Sequence, residues 1–323
     1  MSAAAQPPSQ QQLAQVAQRA SQLVDEIARV YVGPREVPEL LLITLLARGH
    51  VLLEGVPGVA KTTLAKSFAS TLASSFKRIQ FTPDLMPADI TGTYVLMPAD
   101  GTFTLREGPI FANVVLGDEI NRAPAKTQSA LLEAMQESQT TIDGETRTLP
   151  QPFIVLATQN PVEQAGTYPL PEAQIDRFLM RLLLRYPGER EEVAILQRHA
   201  ASPPEVQPIL TPDEILTMQA LADAVHADDA VVEHIVRMAA FTRDHSQVFL
   251  GASPRASLSL LKAAKARAVM QGRGHVLPDD VKQLALPVLA HRIVMTPEAQ
   301  MDGRAGDEIV HEALEKVAHR PRR

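Results

Sequence analysis

The chain of 323 residues contains no cysteine and no tryptophan, and aromatic residues make up only 4% of it. Without cysteine, disulfides, thiol catalysis and thiolate metal sites are excluded. With so few aromatic rings, the core that the 45% of hydrophobic residues can form must be mainly aliphatic. No stretch approaches the roughly 18 uninterrupted apolar residues of a membrane helix, so we expect no membrane span.

The formal net charge is −6. This acidic balance argues against general binding of nucleic acid or anionic membranes, although a local basic patch would be compatible with it. The N-terminal run MSAAAQPPSQQQ lacks the basic and apolar regions of a signal peptide, and it predicts a disordered lead over residues 1–12. The basic ending HRPRR is typical of a frayed tail. We therefore expect a cytoplasmic protein.

Helical and strand-like patterns alternate over residues 13–187, which is typical of an α/β domain with a largely parallel sheet. Helices are predicted at 13–31, 38–48, 61–75 and 124–138. Strands are predicted at 50–54, 78–82, 113–118, 152–158 and 179–184, with hairpins at 93–105 and 139–148. Gly49 is expected to close the second helix at its C′ position. Over residues 188–323 only helical periodicity is visible, which predicts a second, all-helical domain.

A strand-like run leads into a glycine-containing turn and a helical pattern in LLEGVPGVAKTTLAKS, residues 52–67. The spacing is that of the phosphate loop G-x-x-x-x-G-K-[S/T], except that Ala60 stands where the second glycine is required. Such a loop binds phosphate because successive backbone N–H groups surround the anion at a helix N-terminus. If residue 60 must adopt a positive φ, alanine costs on the order of 1 kcal/mol, which a multidentate phosphate site tolerates.

The loop therefore predicts a nucleotide site in which Lys61 reaches the β- and γ-phosphates and Thr62 binds Mg²⁺. The alternative is a simple strand-turn-helix connection with a lysine on the surface. The loop residues expected to contact the nucleotide are Gly55, Val56, Pro57, Gly58, Val59, Ala60, Lys61, Thr62 and Thr63.

In VVLGDEINRAP, residues 114–124, an apolar strand ends in two adjacent carboxylates. Delivering Asp118 and Glu119 to the end of a buried strand is costly unless a cation is nearby, and Mg²⁺ on nucleotide phosphates supplies one. We predict that Asp118 holds the metal and that Glu119 activates the attacking water. The alternative is that both residues only favour the N-terminus of the following helix by capping and charge.

A further strand-like run, FIVLATQNP at residues 153–161, also ends in polar residues. If the sheet brings its carboxyl end beside the phosphate loop, the Asn160 amide would face the γ-phosphate and hold the lytic water. An asparagine before proline is otherwise a common turn former. The role of Asn160 therefore depends on the order of the strands in the sheet.

Taken together, these motifs resemble those of the AAA+ ATPases, and most closely those of the MoxR family. The similarity rests on the G-x-P-G-x-A-K-T form of the loop, on DEINRAP and ATQNP, on YPLPEAQIDRF at residues 168–178, and on GASPRAS at residues 251–257. The resemblance implies an AAA+ α/β domain with a parallel sheet and β-hairpin inserts, followed by a helical lid. It also implies an ATPase that uses ATP and Mg²⁺.

Further roles are implied by the resemblance alone. Val32 and Gly33 would contact the adenine. Asn160 would be the sensor 1 residue, and Arg255 would be the sensor 2 arginine of the lid. Arg177 would be an arginine finger that acts on the nucleotide of a neighbouring subunit, although any of these arginines could instead be an ordinary surface or salt-bridge residue. The competing candidates for the finger are Arg122, Arg181 and Arg185.

The resemblance finally implies a ring, usually a hexamer, whose ATP hydrolysis drives chaperone-like remodelling or maturation of a partner. That partner would be a client enzyme or a protein with a von Willebrand factor A domain. The two hairpins, which we expect to be polar and centred on turns, would face the ring pore, unless they only decorate the sheet. Two other interpretations stay open: a nucleotide-dependent binding switch with incidental turnover, and a ring ATPase of the helicase or chelatase type.

Overall fold

The computed structural model of the chain describes residues 7–55, 59–99, 101–160, 167–200 and 205–318. Residues 1–6 of the predicted disordered lead and the basic tail, residues 319–323, lie outside these ranges. Within the ranges, no helix combines the length and the apolar character that crossing a membrane requires.

The α-helices in these ranges are α1 (Gln10–Ala28), α2 (Glu36–Leu46), α3 (Lys61–Thr71), α4 (Pro87–Thr91), α5 (Ala125–Glu137), α6 (Glu172–Ile175), α7 (Glu189–Ala200), α8 (Pro212–Asp223), α9 (Asp229–Arg243), α10 (Pro254–Met270), α11 (Pro278–Leu289), α12 (Pro297–Met301) and α13 (Gly306–Lys316). The strands are β1 (Val51–Gly55), β2 (Phe76–Gln80), β3 (Gly92–Met97), β4 (Thr102–Glu107), β5 (Val114–Asp118), β6 (Gln139–Ile142), β7 (Glu145–Thr148), β8 (Ile154–Gln159), β9 (Met180–Leu184), β10 (Val248–Leu250) and β11 (Val294–Met295). Short 3₁₀ helices occupy Ile120–Arg122 and Ala290–Arg292.

Five strands form one sheet in the order β2-β5-β8-β1-β9, and every neighbouring pair is parallel. This confirms the predicted α/β architecture. The central strands β5, β8 and β1 are buried almost throughout, which explains why their sequences are nearly continuous apolar runs. Because all five strands run in the same direction, their carboxyl ends meet at one edge of the sheet.

Alternate residues of each central strand face two separate cores. Val51 and Leu53 of β1 belong to a core that β1 shares with α1, α2, α3 and the C-terminal helices. Leu52 belongs to a second core on the other side, together with residues of α5. The helices α8 to α13, called the lid below, therefore share one continuous core with the sheet and with α1 and α2. The domain boundary between residues 187 and 188 stays a prediction.

The two predicted hairpins are present, β3 with β4 and β6 with β7. They are joined by side chains, because the Tyr94 hydroxyl donates to Glu145 Oε2 at 2.6 Å and Arg147 Nη2 donates to that hydroxyl at 2.7 Å. The expectation of polar hairpins is wrong for the first one, which presents several apolar side chains to solvent. Its side chains with 40 to 68% exposure are Val95, Leu96, Met97 and Phe103.

The ends of three helices differ from the predictions. α1 begins at Gln10 rather than at residue 13, because Ser9 forms a capping box at its N-terminus. The left-handed residue after α2 is Arg48, with a φ of 52°, and not Gly49. Gly49 is needed for another reason, since a Cβ there would lie 2.5 Å from the Leu179 side chain. α3 ends at Thr71 rather than near residue 75, and the chain turns left-handed two residues later.

The helical lid is confirmed, with one element that the sequence did not indicate. β10 and β11 pair in an antiparallel arrangement, with Val248 opposite Met295. Strands of two or three residues are too short to show an alternating pattern, so helical periodicity dominated the sequence signal.

Candidate active site

The loop between β1 and α3 holds Ala60 in the left-handed conformation, with φ of 57° and ψ of 26°. Positive φ is therefore required at this position, and alanine costs on the order of 1 kcal/mol there. Gly55 is required by packing, because a Cβ would lie 2.5 Å from the carbonyl oxygen of Leu184 in the adjacent β9. The loop contacts predicted from the sequence that lie outside the described residues are Val56, Pro57 and Gly58.

Lys61 is the first residue of α3, and its Nζ donates a hydrogen bond to the Gly55 carbonyl at 2.6 Å. Burial lowers the pKa of Lys61, while the carboxylates of Asp118 and Glu119 act in the opposite direction. The structure thus brings the lysine and both carboxylates into one cluster. The next two predicted contacts, exposed in the first turn of α3, are Thr62 and Thr63.

The Asp118 carboxylate is buried at the end of β5. Its Oδ1 accepts a hydrogen bond from the Thr158 hydroxyl at 2.6 Å. Its Oδ2 accepts two from Arg78, from Nε at 3.1 Å and from Nη2 at 2.6 Å. The cationic partner that a buried carboxylate needs is therefore supplied here by an arginine of β2.

Glu119 lies just beyond the strand in a left-handed conformation, with φ of 59° and ψ of 51°. Its backbone N–H donates to Thr158 Oγ1 at 2.8 Å. Its Oε2 accepts from Gln80 Nε2 at 2.8 Å and lies 2.9 Å from Nη1 of Arg122. Neither carboxylate caps α5, because the N-cap of that helix is Pro124 and it has no side-chain capping bond. The capping part of that alternative is therefore wrong.

Asn160 follows β8, which lies between β1 and β5 in the sheet. In register, Leu53 of β1 is opposite Thr158, and Gly117 of β5 is opposite Ala157. The side chain of Asn160 is buried at the carboxyl edge, between the strand that enters the loop and the strand that carries the carboxylates. This is the strand order on which its predicted role depends.

A cavity of about 460 Å³ lies between the sheet domain and the lid. The predicted adenine contacts Val32 and Gly33 line one wall, and Val59 and Ala60 of the loop line another. The lid closes the cavity with residues of α11 and α13. Its volume and its mainly apolar lining are those of a small-molecule site, and it is continuous with the loop.

Two of the competing candidates for the finger are engaged inside their own subunit. Arg181 donates to Asp307 Oδ1 of α13 at 2.8 Å and lies 3.7 Å from Glu54 of β1. Burial raises the pKa of Glu54, and Arg181 opposes that shift. Arg122 is paired with Glu119. Arg185, in contrast, is exposed.

The contacts of Arg177 and Arg255 are separate from those of the lysine and the two carboxylates. Arg177 follows α6 and donates from Nη1 to the Leu132 carbonyl of α5 at 3.1 Å. Arg255, in the first turn of α10, lies 3.9 Å from the carboxylate of Asp176. Arg255 thus contacts the residue that immediately precedes Arg177 in the chain.

Three side chains of the cluster were not identified from the sequence: Arg78, Gln80 and Thr158. Each is a polar residue on a strand of the sheet, and Gln80 is opposite Asp118 in register. Polar residues near strand ends are common, so this signal becomes informative only when the strand order is known.

Comparison with known proteins identifies the family. The profile described as "ATPase family associated with various cellular activities (AAA)" matches residues 50–180, and that described as "AAA lid domain" matches residues 240–313. Chaperone MoxR1 of Mycobacterium tuberculosis is 45% identical over 302 residues, which cover 91% of this chain and 80% of that protein. The chain belongs to the MoxR family of AAA+ ATPases.

Two further proteins are similar to this chain over most of its length. The uncharacterized protein YeaC of Bacillus subtilis is 48% identical over 296 residues, or 91% of this chain and 92% of YeaC. The crystal structure of a candidate ATPase from Cytophaga hutchinsonii matches with a TM-score of 0.90 at 40% identity, covering 96% of this chain and 98% of that one. The resemblance inferred from the motifs is confirmed, and the sheet with its lid is the AAA+ fold.

Proposed function

We propose that this MoxR-family chain hydrolyses ATP and uses the energy to remodel or mature a partner protein. The observation that carries the proposal is the convergence of Lys61, Asp118 and Glu119 at the carboxyl edge of the sheet, beside a cavity large enough for a nucleotide base. In open α/β sheets this edge is where ligands bind.

The residues at this edge fit Mg²⁺. A hard cation prefers oxygen ligands, and the Asp118 carboxylate and the Thr62 hydroxyl can supply them. Thr158 fixes the orientation of Asp118, whereas Arg78 is half-exposed and can leave it. When bound, Mg²⁺ would neutralise charge on the phosphates.

The remaining residues position and activate the reactants. Lys61, which donates to the Gly55 carbonyl, would turn its ammonium to the β- and γ-phosphates. Glu119, oriented by Gln80 and Arg122, would accept the proton of the attacking water, and Asn160 would hold that water. Catalysis of this kind depends mainly on positioning and on charge stabilisation.

The site would be completed by a second copy of the chain in a ring, which we expect to be a hexamer in the cytoplasm. Arg177 would act there on the nucleotide of the neighbouring subunit, while Arg255 would sense the nucleotide of its own subunit from the lid. The half-exposed Arg255 and the position of the cavity between sheet and lid support this arrangement.

The chemistry is tested by two substitutions. Glu119→Gln should still bind ATP and Mg²⁺ but hydrolyse it at least about 10²-fold more slowly, the scale for loss of a general base. Lys61→Ala should weaken nucleotide binding itself. Glu137→Gln, an exposed change at the end of α5, is the matched control. Parent-rate hydrolysis by Glu119→Gln would show that the base is wrongly assigned.

The action in trans is tested by mixing variants. Arg177→Ala alone should bind ATP and fail to hydrolyse it, since an arginine finger contributes roughly 10³ to 10⁵ in rate. Mixed with Lys61→Ala subunits, it should recover activity, because one subunit then supplies the pocket and the other supplies the finger. No recovery in verified mixed rings would point to Arg185 or to action in cis.

Two observations support partner remodelling: a relative is named Chaperone MoxR1, and the hairpin β3–β4 exposes apolar side chains. A partner must bind the ATP and ADP states with different affinity, since only such a difference can shift a conformational equilibrium. Glu119→Gln with ATP should therefore retain a client enzyme or a von Willebrand factor A protein in a pull-down, and ADP should release it. Equal recovery in all nucleotide states would exclude remodelling, and DNA-stimulated hydrolysis would favour the helicase type.

A further inference from the structure

Asp176, the residue immediately before the proposed finger, is held by the lid. The Ser253 hydroxyl at the start of α10 donates to Asp176 Oδ2 at 3.2 Å. Arg292 donates from Nε to Oδ1 at 2.7 Å, and Arg255 lies 3.9 Å from Oδ2. One carboxylate of the sheet domain is thus contacted by three side chains of the lid, including Arg255, the proposed nucleotide sensor.

Arg292 extends this link to the backbone around the finger. Its side chain is only 2% exposed, and Nη2 donates to the carbonyls of Phe178 at 2.7 Å and of Asp176 at 3.2 Å. The neighbouring His291 Nε2 lies 3.1 Å from the Phe178 carbonyl, so this nitrogen must carry the proton and donate. Burial lowers the pKa of Arg292 to about 10, which still leaves it charged at neutral pH. The segment 176–178 is therefore fastened to the lid from both sides of Arg177.

The side chain of Arg177 has its own contact with the sheet domain, the hydrogen bond to the Leu132 carbonyl. The backbone beside it is bonded to the lid through Arg292, while the Phe178 side chain is buried in the second core of the sheet domain. A rotation of the lid relative to the sheet would therefore pull on the backbone next to Arg177, because the buried Arg292 guanidinium bonds to the carbonyls on both sides of it.

We propose that Asp176 and Arg292 form a positioning pair that makes Arg177 move with the lid of its own subunit. This inference rests on the proposed action of Arg177 in trans. A nucleotide that draws Arg255 away from Asp176 would change how the lid holds the finger segment. The nucleotide state of one subunit would thereby set the placement of the finger in the next subunit's site.

The experiment uses mixed rings in which only one type of site is complete. Acceptor subunits carry Arg177→Ala and keep an intact pocket, and donor subunits carry Lys61→Ala and supply the finger. Adding Asp176→Asn to the donor removes the charge that Arg292 binds while keeping the shape. We expect kcat for ATP to fall roughly 10- to 10²-fold, the scale for about 1 Å of misplacement. KM should not change, because the pocket that binds the ATP is unmodified.

Two comparisons separate positioning from a structural role. Asp176→Asn placed in the acceptor should alter KM rather than kcat, since there it acts through Arg255 on the subunit's own nucleotide. Asp223→Asn in the donor is the control, because Asp223 of α8 pairs with Arg48 and also joins the lid to the sheet domain, away from the finger segment. The control donor should support the same rate as the unmodified donor.

The outcomes distinguish this inference from the function on which it rests. If the unmodified donor and acceptor show no activity together, the action in trans is wrong. If they are active and donors with Asp176→Asn and with Arg292→Lys are equally active, the positioning pair is overturned. Arg292→Lys keeps the charge but cannot make the same set of hydrogen bonds. It replaces Asp176→Asn in the test if rings with Asp176→Asn do not assemble. Loss of assembly with both variants would also overturn the proposal, since the pair would then hold the ring together.

Discussion

Arg78 and Asp118 are joined by two hydrogen bonds from one guanidinium to one carboxylate oxygen, at 3.1 and 2.6 Å. The carboxylate that we propose as an Mg²⁺ ligand is therefore already ion-paired with an arginine of the neighbouring strand β2. Two unit positive charges about 4 Å apart repel each other by about 1 kcal/mol in water and about 4 kcal/mol near a protein surface, and the double charge of Mg²⁺ doubles both values. Binding of the metal must weaken this ion pair.

Removal of Arg78 should accordingly make the site easier to load with Mg²⁺. In the Glu119→Gln background, Arg78→Gln should lower the Mg²⁺ concentration for half-maximal retention of a fluorescent ATP analogue by about 5- to 10-fold, which corresponds to part of that repulsion. Arg48→Gln is the control, because Arg48 is equally exposed and pairs with Asp223 far along the chain. An unchanged or higher Mg²⁺ requirement would contradict the competition.

Ala60 should tolerate glycine and not valine. Ala60→Gly relieves about 1 kcal/mol of left-handed strain but adds a similar amount of unfolded-state entropy, so its free energy of unfolding and its ATP affinity should stay close to the parent values. A β-branched residue at positive φ is a genuine outlier, so Ala60→Val should weaken ATP binding by about 10-fold or more. Equilibrium titration with ATP checks both, and parent affinity in Ala60→Val would show that the conformation of residue 60 is not needed for binding.

His50 should make the fold sensitive to acid. Its Nε2–H donates to the Met135 carbonyl at 2.8 Å, and its Nδ1 accepts from the Val155 N–H at 3.0 Å, so a second ring proton has no acceptor. Burial lowers the pKa of His50 to about 4 from an ordinary 6.5. Between these two pKa values the unfolded chain binds the extra proton and the folded chain does not. The contribution of His50 to the free energy of unfolding is therefore fully present above pH 6.5 and falls by about 3 kcal/mol as the pH drops to about 4.

Urea unfolding at several pH values measures this loss. His50→Gln should be less stable than the parent at pH 7 but should lose less stability between pH 6.5 and pH 4. Some loss should remain in the variant, because burial also lowers the pKa of His291 well below its ordinary value. The same acid dependence in parent and variant would rule out His50 as a cause.

Phe103 should contribute to partner binding and not to hydrolysis. It is 68% exposed on the hairpin β3–β4, so Phe103→Ser should leave the stability within about 0.5 kcal/mol of the parent. When Phe103→Ser is combined with Glu119→Gln, retention of the partner in the pull-down with ATP should fall severalfold. In the parent background, Phe103→Ser should leave basal ATP hydrolysis unchanged. Phe249→Ser is the matched control, since this lid phenylalanine is 78% exposed. Equal losses of partner retention from both variants would indicate non-specific hydrophobic binding rather than binding at the hairpin.

Features encoded in short stretches of chain were predictable. The strand that enters the loop, the helix that begins at Lys61 and the hairpin turns all follow from neighbouring residues, because turn geometry and strand alternation act over a few positions. The prediction that Gly49 closes α2 at C′ was wrong, because Arg48 takes the left-handed conformation and Gly49 is required instead by its close approach to the Leu179 side chain, which is distant in sequence.

By itself, the sequence determined the family and named Lys61, Asp118 and Glu119 as candidates, since the loop and the carboxylate pair are motifs that can be read from neighbouring residues. Only the tertiary structure decided the partners of that chemistry. Thr158 and Arg78 reach Asp118 from 40 positions away, and Arg292 reaches Asp176 from 116 positions away. Such pairs form because burial of the shared apolar core sets the strand order and seats the lid on the sheet, and that choice depends on the whole chain at once.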